Sequence, residues 1–169
     1  MGEKTGGPLR LRSMTSIYIA RGNELLMLYR IGSRVVPPSW CGIGGHFEPE
    51  ELCDPQACVL RELREEAHLG PEALADLRLR YLALRQRPGE IRQNYYYFAR
   101  LAPGVEVDMR CDEGRLQWLP FDEALLEREM PLSAKEVLRH YLRVGRSTEA
   151  VYAGIASGGA ISFQELNVF

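Results

Sequence analysis

The chain has 169 residues, of which 46% are hydrophobic and 26% are charged, and its formal net charge is -2. These values exclude the low hydrophobicity of a disordered chain, and the length suits one compact domain. The sequence has no basic block of the kind that holds a nucleic-acid polymer, so a small molecule is the expected partner. We expect one folded domain over residues 9–169, after a flexible leader at residues 1–8.

The apolar runs of the chain are short. The longest, such as residues 25–28, fall far below the roughly 20 residues that cross a bilayer, and the N-terminus lacks a signal-peptide core. We therefore expect a cytoplasmic protein that does not contact a membrane. The four cysteines lack the paired spacing of structural zinc sites, so we expect reduced thiols.

Two strand-like segments come first in the chain, at residues 16–20 and 24–30. They are joined by Arg-Gly-Asn, and Gly and Asn tolerate the positive φ of a hairpin turn. A helix is expected over residues 54–67. It opens with Asp, which caps the free amides, and then Pro, which suits the first helical position.

Two longer strand-like segments follow at residues 77–87 and 91–101, joined by a Pro-Gly-Glu turn. A short helix is then expected near residues 121–129. The order of strands, helix, strands and a helical end indicates a mixed α/β domain.

The C-terminal part of the chain predicts one more helix and a hairpin. Ser133 and Glu136 have capping-box spacing, so we expect a helix that begins at Ser133 and ends near Val144. Residues 151–169 could form a small hairpin around Gly158 and Gly159.

The first predicted helix carries clustered carboxylates. At about 100° per residue, Glu62, Glu65 and Glu66 share one face, and the opposite face is apolar, formed by Ala57, Leu60, Leu63 and Ala67. We expect the apolar face to pack on a sheet and the carboxylates to be exposed. Magnesium, which prefers oxygen ligands, could compensate their repulsion. The alternative is a solvated acidic surface, partly neutralised by Arg61 and Arg64.

The segment before this helix adds a more specific pattern. Gly44 and Gly45 are followed by Glu51, and the helix contains Arg-Glu-Leu-Arg-Glu-Glu at residues 61–66. In this order the residues resemble the Nudix box. Two features depart from the family pattern: nine residues instead of seven separate Glu51 from the helical Arg, and His68 replaces a Gly after the helix. We interpret the first as a longer loop before the helix, and His can adopt the left-handed conformation of a helix-ending Gly.

The resemblance implies a fold and a reaction. The fold would be the Nudix-type α/β/α sandwich with a mixed β-sheet. The reaction would be magnesium-dependent hydrolysis of a diphosphate linkage by metal-activated water, with manganese as an alternative ion. The implied metal ligands are Glu62, Glu65, Glu66 and the carbonyl of Gly44, and Arg61 joins the carboxylates as a catalytic-site residue.

Other roles implied by the resemblance are less defined. Glu51 would form an ion pair with Arg61 that fixes the loop against the helix. The general base could be Glu62, or it could come from a later acidic loop. Asp112 and Glu113 lie in such a loop, where several relatives carry another metal ligand, although a polar turn is the alternative for this pair.

Three residues are candidates for substrate binding. Arg30 and Trp40 lie on the approach to the box, and Tyr96 lies in a run of four aromatic residues whose members alternate between the two faces of a strand. A solvated strand position for the Arg, or core packing for the aromatic residues, is the alternative. The resemblance favours a nucleoside triphosphate or its oxidised form as substrate.

Other functions stay open at this stage. ADP-ribose or a nucleotide sugar is the alternative substrate, and a module that senses a nucleotide without hydrolysing it is the alternative of another class. Such a module usually loses box carboxylates, whereas this chain keeps all three. The aromatic strand and the apolar tail leave room for a homodimer.

Overall fold

The structure is a computed structural model that describes residues 8–32 and 37–167. The predicted leader lies outside these residues except for Pro8. The described part contains two α-helices, α1 (Pro55–Ala67) and α2 (Leu132–Arg143). Its eight strands, in chain order, are β1 (Arg10–Arg21), β2 (Glu24–Arg30), β3 (Ser39–Cys41), β4 (Leu74–Arg87), β5 (Glu90–Leu101), β6 (Gly114–Pro120), β7 (Tyr152–Ser157) and β8 (Ala160–Glu165).

All eight strands belong to one mixed sheet. The order along the sheet is β3-β2-β1-β5-β4-β7-β8, and β6 pairs with β2. The pairs β1–β5 and β4–β7 are parallel, whereas the other neighbours are antiparallel. One edge of β2 pairs with β6 along its length, and the other edge pairs first with β1 and then with β3. The sheet therefore forks beside the C-terminal half of β2.

Each face of the sheet is covered by a helix and its own apolar cluster. Val59 and Leu63 of α1 pack with Ile17 and Ile19 of β1 on one face. On the other face, Val137 and Leu138 of α2 belong to the second cluster. The predicted α/β sandwich with a mixed sheet is confirmed. In the described residues, no helix is long and apolar enough to span a bilayer.

The ends of α1 agree with the sequence prediction. The Asp54 side chain accepts a 3.0 Å hydrogen bond from the amide of Ala57, and Pro55 occupies the first turn. His68 follows the helix in the left-handed conformation, with φ 55° and ψ 29°. Its amide donates to the Arg64 carbonyl, which completes the helix end. His68 therefore replaces the helix-ending glycine.

The prediction of which side chains of α1 are buried was wrong at two places, in the first turn and at Glu66. Ala57 is exposed, whereas Cys58 and Val59 are buried. Glu66 is only 5% exposed, although the sequence predicted an exposed carboxylate face. The sheet lies against the stripe that contains Val59, Leu63 and Glu66, at spacings of four and seven residues. The three carboxylates of α1 consequently differ in burial and do not share one solvent-exposed surface.

The start of α2 also differs from the prediction. The helix begins at Leu132 with Pro131 at the cap position, and no side chain caps it. Ser133 lies inside the first turn and accepts a 2.9 Å hydrogen bond from the Tyr96 hydroxyl. Because Ser133 binds a core tyrosine, it cannot cap its own helix. The four long strands and the C-terminal hairpin agree with the sequence prediction, whereas β3 and β6 were not predicted as strands.

His140, near the end of α2, links the helix to the C-terminal hairpin. Its Nδ1 lies 2.9 Å from the Tyr81 hydroxyl, and its ring packs at 4.6 Å from the Tyr152 ring and at 5.1 Å from the Phe163 ring. Burial lowers the pKa of His140 below its ordinary value. The folded protein therefore disfavours the charged imidazolium at this position.

We expect wild-type stability to fall as the pH is lowered through about 6.5, the ordinary His pKa, toward the lower folded pKa. In this window the unfolded state takes up the proton before the folded state does. Urea unfolding of wild type and His140→Asn across pH 8 to 5 measures the effect. The variant keeps His46 and His68, so the difference reports His140 alone. A stability difference that does not change with pH would contradict the assignment.

Candidate functional site

The segment after β3 runs along the edge of β1 that the fork leaves open. Ile17 donates a 2.7 Å hydrogen bond to the Ile43 carbonyl, and Thr15 donates a 2.9 Å bond to the Gly45 carbonyl. This pairing brings the Gly44–Gly45 turn between β1 and the last turns of α1. The turn is the backbone wall of the candidate site.

At both glycines of the turn, a side chain would come too close to neighbouring atoms. Gly44 has φ 149°, and a Cβ at this position would lie 2.2 Å from the Thr15 carbonyl oxygen. A Cβ on Gly45 would lie 2.5 Å from Oε1 of Glu62. Gly44 therefore allows the backbones to approach, and Gly45 leaves space for a carboxylate of α1.

Arg61 is bound by three carboxylates at one side of the turn. Its Nε and Nη2 donate to the two oxygens of Glu51 at 2.7 and 2.9 Å, and its Nη1 donates to Glu62 at 2.8 Å and to Glu65 at 3.0 Å. Nη2 also donates to the His46 carbonyl at 2.9 Å. The predicted ion pair between Glu51 and Arg61 is thus present and has the two-pronged geometry of strong guanidinium–carboxylate pairs.

The longer loop before α1 accommodates this ion pair. Residues Pro49–Glu51 form a 3-10 helix, and the Glu51 side chain accepts a 2.9 Å bond from the Glu48 amide. The Glu51 carbonyl accepts a 2.8 Å bond from the Asp54 amide. Glu51 therefore joins the loop to the cap of α1. Its hydrogen bonds with Arg61 lower its pKa to about 2.

Arg30 is the second cationic centre. Its Nη2 lies 2.5 Å from Oε1 of Glu66, 2.9 Å from Oε2 of Glu113 and 3.1 Å from the Gly44 carbonyl oxygen. The other Glu66 oxygen accepts a 3.0 Å bond from the Gly44 amide. Residues from β2, the glycine turn, α1 and the loop before β6 therefore meet at a single nitrogen.

Burial and like charges shift the pKa values of two carboxylates. Burial raises the pKa of Glu66 to about 8, and Glu113 contributes in the same direction, whereas Arg30 and the Gly44 amide oppose the shift. Burial also raises the pKa of Glu62, again with a contribution from Glu113 and with opposition from Arg61. Glu62, Glu66 and Glu113 are therefore close enough to interact electrostatically.

The donor set suits a hard divalent cation. Two carboxylates and one carbonyl already converge on a positively charged nitrogen of Arg30, and oxygen ligands of these types are the ones magnesium takes. In the described residues, no three His, Cys, Asp or Glu side chains are arranged as a complete metal cage. Arg30 and Arg61 instead bind these carboxylates. Because the protein then offers few ligands to an ion, the residues fit a metal that keeps some of its water ligands.

The remaining predicted residues lie in different surroundings. Glu113 reaches the site, whereas Asp112 is an exposed turn residue. Trp40 is 7% exposed and packs against Tyr29, with ring centroids 5.0 Å apart. Tyr96 is 1% exposed, and its hydroxyl donates to Ser133. The burial of both aromatic residues favours the core-packing alternative, and their contact with a substrate stays a prediction.

The binding of Arg30 to the carboxylates of α1 was not predicted, although the periodicity of the strand indicates it. Leu26 and Leu28 face α1, and Arg30 is the next residue of β2 on that face. The antiparallel register pairs Arg30 with Gly114, which explains why Glu113 lies beside it. That register could not be read from the sequence, because β6 was not identified as a strand.

Comparisons with known proteins agree with this architecture. A family model of the NUDIX domain matches residues 10–141, and the chain therefore belongs to the Nudix hydrolase family. The structure is similar to that of the mutator MutT protein from Bacillus halodurans, with a TM-score of 0.67 and 20% identity, covering 91% of this chain and 97% of that one. The MutT protein from Methanosarcina mazei Go1 gives 0.66 and 16%, covering 83% and 99%.

A third similar structure is the NUDIX domain of Shewanella oneidensis NrtR complexed with ADP ribose. Its TM-score is 0.57 at 14% identity, and the match covers 88% of this chain and 94% of that chain. At these identities the three similarities show a shared fold.

The two glycines of the turn predict different mutational effects. We expect Gly44→Ala to lower the free energy of unfolding by about 2–4 kcal/mol, because its Cβ meets backbone and its φ is unfavourable for Ala. We expect Gly45→Ala to cost less than about 1 kcal/mol, because only the end of the Glu62 side chain must move. Urea unfolding and diphosphate hydrolysis measure both variants. Full activity of Gly45→Ala would show that the position of Glu62 does not matter.

The ion pair between Glu51 and Arg61 predicts a pH-dependent contribution to stability. We expect Glu51→Gln to cost about 1–3 kcal/mol at pH 7. The ordinary pKa of 4.5 is lowered to about 2 in the folded protein, so the wild-type advantage is complete above 4.5 and disappears as the pH falls toward 2. Glu50→Gln, an exposed neighbour in the same 3-10 helix, is the control. Equal stability of the two variants at every pH would contradict the role of the pair.

Proposed function

We propose that this protein is a metal-dependent pyrophosphohydrolase that cleaves a nucleoside triphosphate, or its oxidised form, between the α- and β-phosphates. Water would be consumed, and a nucleoside monophosphate and pyrophosphate would be released. The observation that carries the proposal is the convergence of Glu66, Glu113 and the Gly44 carbonyl on one cationic nitrogen. Such oxygens, placed beside Glu62, provide ligands for a divalent ion and a base close to it.

The proposed metal ligands are Glu62, Glu65, Glu66 and the Gly44 carbonyl, with Glu113 as a further carboxylate from the loop before β6. Magnesium or manganese bound there would supply charge neutralisation at the diphosphate and would activate the attacking water. Glu65 is 58% exposed at its side chain, and among the described residues its side chain binds only Arg61, at 3.0 Å, so it can turn toward such an ion.

Glu62 is the proposed general base. Glu62 lies beside Glu65, since both bind Nη1 of Arg61, and its carboxylate is therefore close to a water held at the proposed ligands. Its Oε1 is fixed by Arg61 at 2.8 Å, and Gly45 leaves room for its carboxylate against the turn. In this role the carboxylate would accept a proton from the attacking water while Arg61 keeps it in position.

Arg30 is the proposed phosphate-binding residue. Its side chain is 27% exposed, and Glu66 and Glu113 hold it at the edge of the site. A cation bound by these carboxylates would repel the guanidinium, whereas a substrate phosphate would attract it. Guanidinium groups bind phosphate through paired N–H donors. Arg30 would therefore exchange carboxylate partners for a phosphate partner.

The choice of substrate is supported by the similarity in fold to two MutT proteins. The similarity to a NUDIX domain complexed with ADP ribose supports ADP-ribose as the alternative, which would yield AMP and ribose 5-phosphate. A panel of nucleoside triphosphates, their oxidised forms, ADP-ribose and a nucleotide sugar, assayed with magnesium or manganese, separates these possibilities by their products. Binding of ADP-ribose without turnover of any compound would support the sensing module instead.

We expect Glu66→Gln to lower turnover at least about 100-fold. Gln keeps an oxygen that can accept the hydrogen bond from the Gly44 amide, and Arg30 keeps Glu113 as an ionic partner, so the loss of stability should be only about 1–2 kcal/mol. The affinity for Mn²⁺ should fall together with turnover. It is measured from the decrease of the paramagnetic resonance signal of free Mn²⁺ as the ion binds. Glu127→Gln, at an exposed position away from the site, is the matched control. Unchanged Mn²⁺ affinity in Glu66→Gln would reject the ligand assignment.

A further inference from the structure

A cleft of about 260 Å³ lies at the other end of the sheet from the glycine turn. It includes Ala20, near the end of β1, whereas Gly45 of the glycine turn pairs with β1 at Thr15. Five residues of strand, or about 17 Å, separate Thr15 from Ala20. The cleft also includes Phe121 and Tyr141, which pack on the α2 face of the sheet. It is therefore distinct from the site around α1.

Arginines give this cleft a positive charge within a chain whose formal net charge is -2. Four arginines and two carboxylates line it, which leaves a formal excess of two positive charges. Arg78 pairs with Glu149, and Arg100 pairs with Asp76. All four of these side chains are at least half exposed, so water screens the two pairs and they hold their arginines weakly.

Arg80 forms the floor of the cleft and is only 5% exposed. Its Nε donates to the Ala150 carbonyl at 3.0 Å, and its Nη2 donates to the carbonyls of Gly145 and Thr148 at 2.8 Å each. These partners are neutral, and no carboxylate of the described residues forms an ion pair with Arg80. The hydrogen bonds of Nε and Nη2 are satisfied, but the charge is not balanced by an anion of the chain.

A local irregularity of β4 lies at Arg80. Leu79 pairs with Tyr97 and Tyr81 pairs with Tyr96, so Arg80 is an extra residue with no partner on β5. Such a bulge lets consecutive side chains point to one face, and Tyr81 belongs to the cluster on the α2 side. Leu79 belongs to the cluster on the α1 side, so Arg80 points to the opposite face, where Tyr81 and the carbonyls after α2 also lie.

The backbone near Arg80 has a second unusual feature. Another register shift lies between Ala75 and Arg78, and Asp76 within it has φ 54°. Positive φ in a non-glycine residue costs energy and is concentrated at functional sites. Two bulges within six residues therefore shape the strand that lines this cleft.

We propose that this cleft is a second binding site, specific for the phosphate group of a small molecule. Arg80 supplies the buried charge that attracts the anion. Arg146, an exposed residue that forms no ion pair in the described part of the chain, contacts the phosphate from the rim. Guanidinium groups recognise phosphate oxygens through their fork of N–H donors, and a partly enclosed cleft strengthens the attraction. The site is independent of the proposed hydrolysis.

The test locates bound phosphate by amide chemical shifts of the full chain in two-dimensional ¹H–¹⁵N NMR. Inorganic phosphate and AMP are titrated separately in the presence of EDTA, with sodium chloride at equal ionic strength as a reference. We expect saturable shifts at residues 76–80 and 145–150. Equal affinity for the two probes indicates recognition of the phosphate alone, and tighter binding of AMP indicates an added contact with the nucleoside. Either result supports the site.

Two variants decide the role of the arginines. We expect Arg146→Gln to weaken phosphate binding by about five-fold or more, the effect of losing one exposed charged contact. Arg143→Gln removes an exposed arginine that pairs with Glu123 outside this cleft, and we expect less than about a two-fold change. Shifts confined to residues 44–45 and 62–66, identical shifts with chloride, or equal affinities of wild type and Arg146→Gln would each overturn the proposal.

Discussion

Two guanidinium groups hold together a group of carboxylates that would otherwise repel one another. Arg61 binds Glu51 and two carboxylates of α1, and Arg30 binds Glu66 and Glu113. These carboxylates come from the loop before α1, from α1 itself and from the loop before β6. The arginines therefore fix the relative positions of the segments around the glycine turn. A metal ion in the proposed site would neutralise part of the negative charge of these carboxylates in place of the arginines. The carboxylates are already close together before the ion binds.

The fork in the sheet makes this arrangement possible. Because β1 leaves β2 after a short pairing, the segment after β3 can run along β1 and place the glycine turn against α1. The same β2 ends at Arg30, and its pairing with β6 brings Glu113 to the guanidinium. The strand β2 thus positions the glycine turn, the Arg30 guanidinium and the Glu113 carboxylate relative to one another. Residues without a side chain suit the turn because β1 and α1 approach it closely.

The two faces of the sheet carry different electrostatics. The α1 face concentrates carboxylates around the glycine turn, whereas the far end of the α2 face concentrates arginines in a cleft. In the first region Arg30 and Arg61 each have several carboxylate partners, whereas the partners of the buried Arg80 within residues 8–32 and 37–167 are neutral carbonyls. This asymmetry is invisible in the net charge of the chain. It arises because the two types of charge lie on different elements, the carboxylates on α1 and its neighbouring loops and Arg78 and Arg80 on β4.

The sequence by itself determined the features that depend on local geometry. Helix capping at Asp54, the left-handed His68 and the placement of three glutamates on one helix face follow from neighbouring residues and from helix periodicity. Only the tertiary structure decided which of these glutamates is buried, because burial depends on the distant segment that packs on the helix. It likewise decided the partners of Arg30 and Arg80. These depend on the register of β2 with β6 and on the packing of the segment after α2 against β4, which bring together residues far apart in the chain.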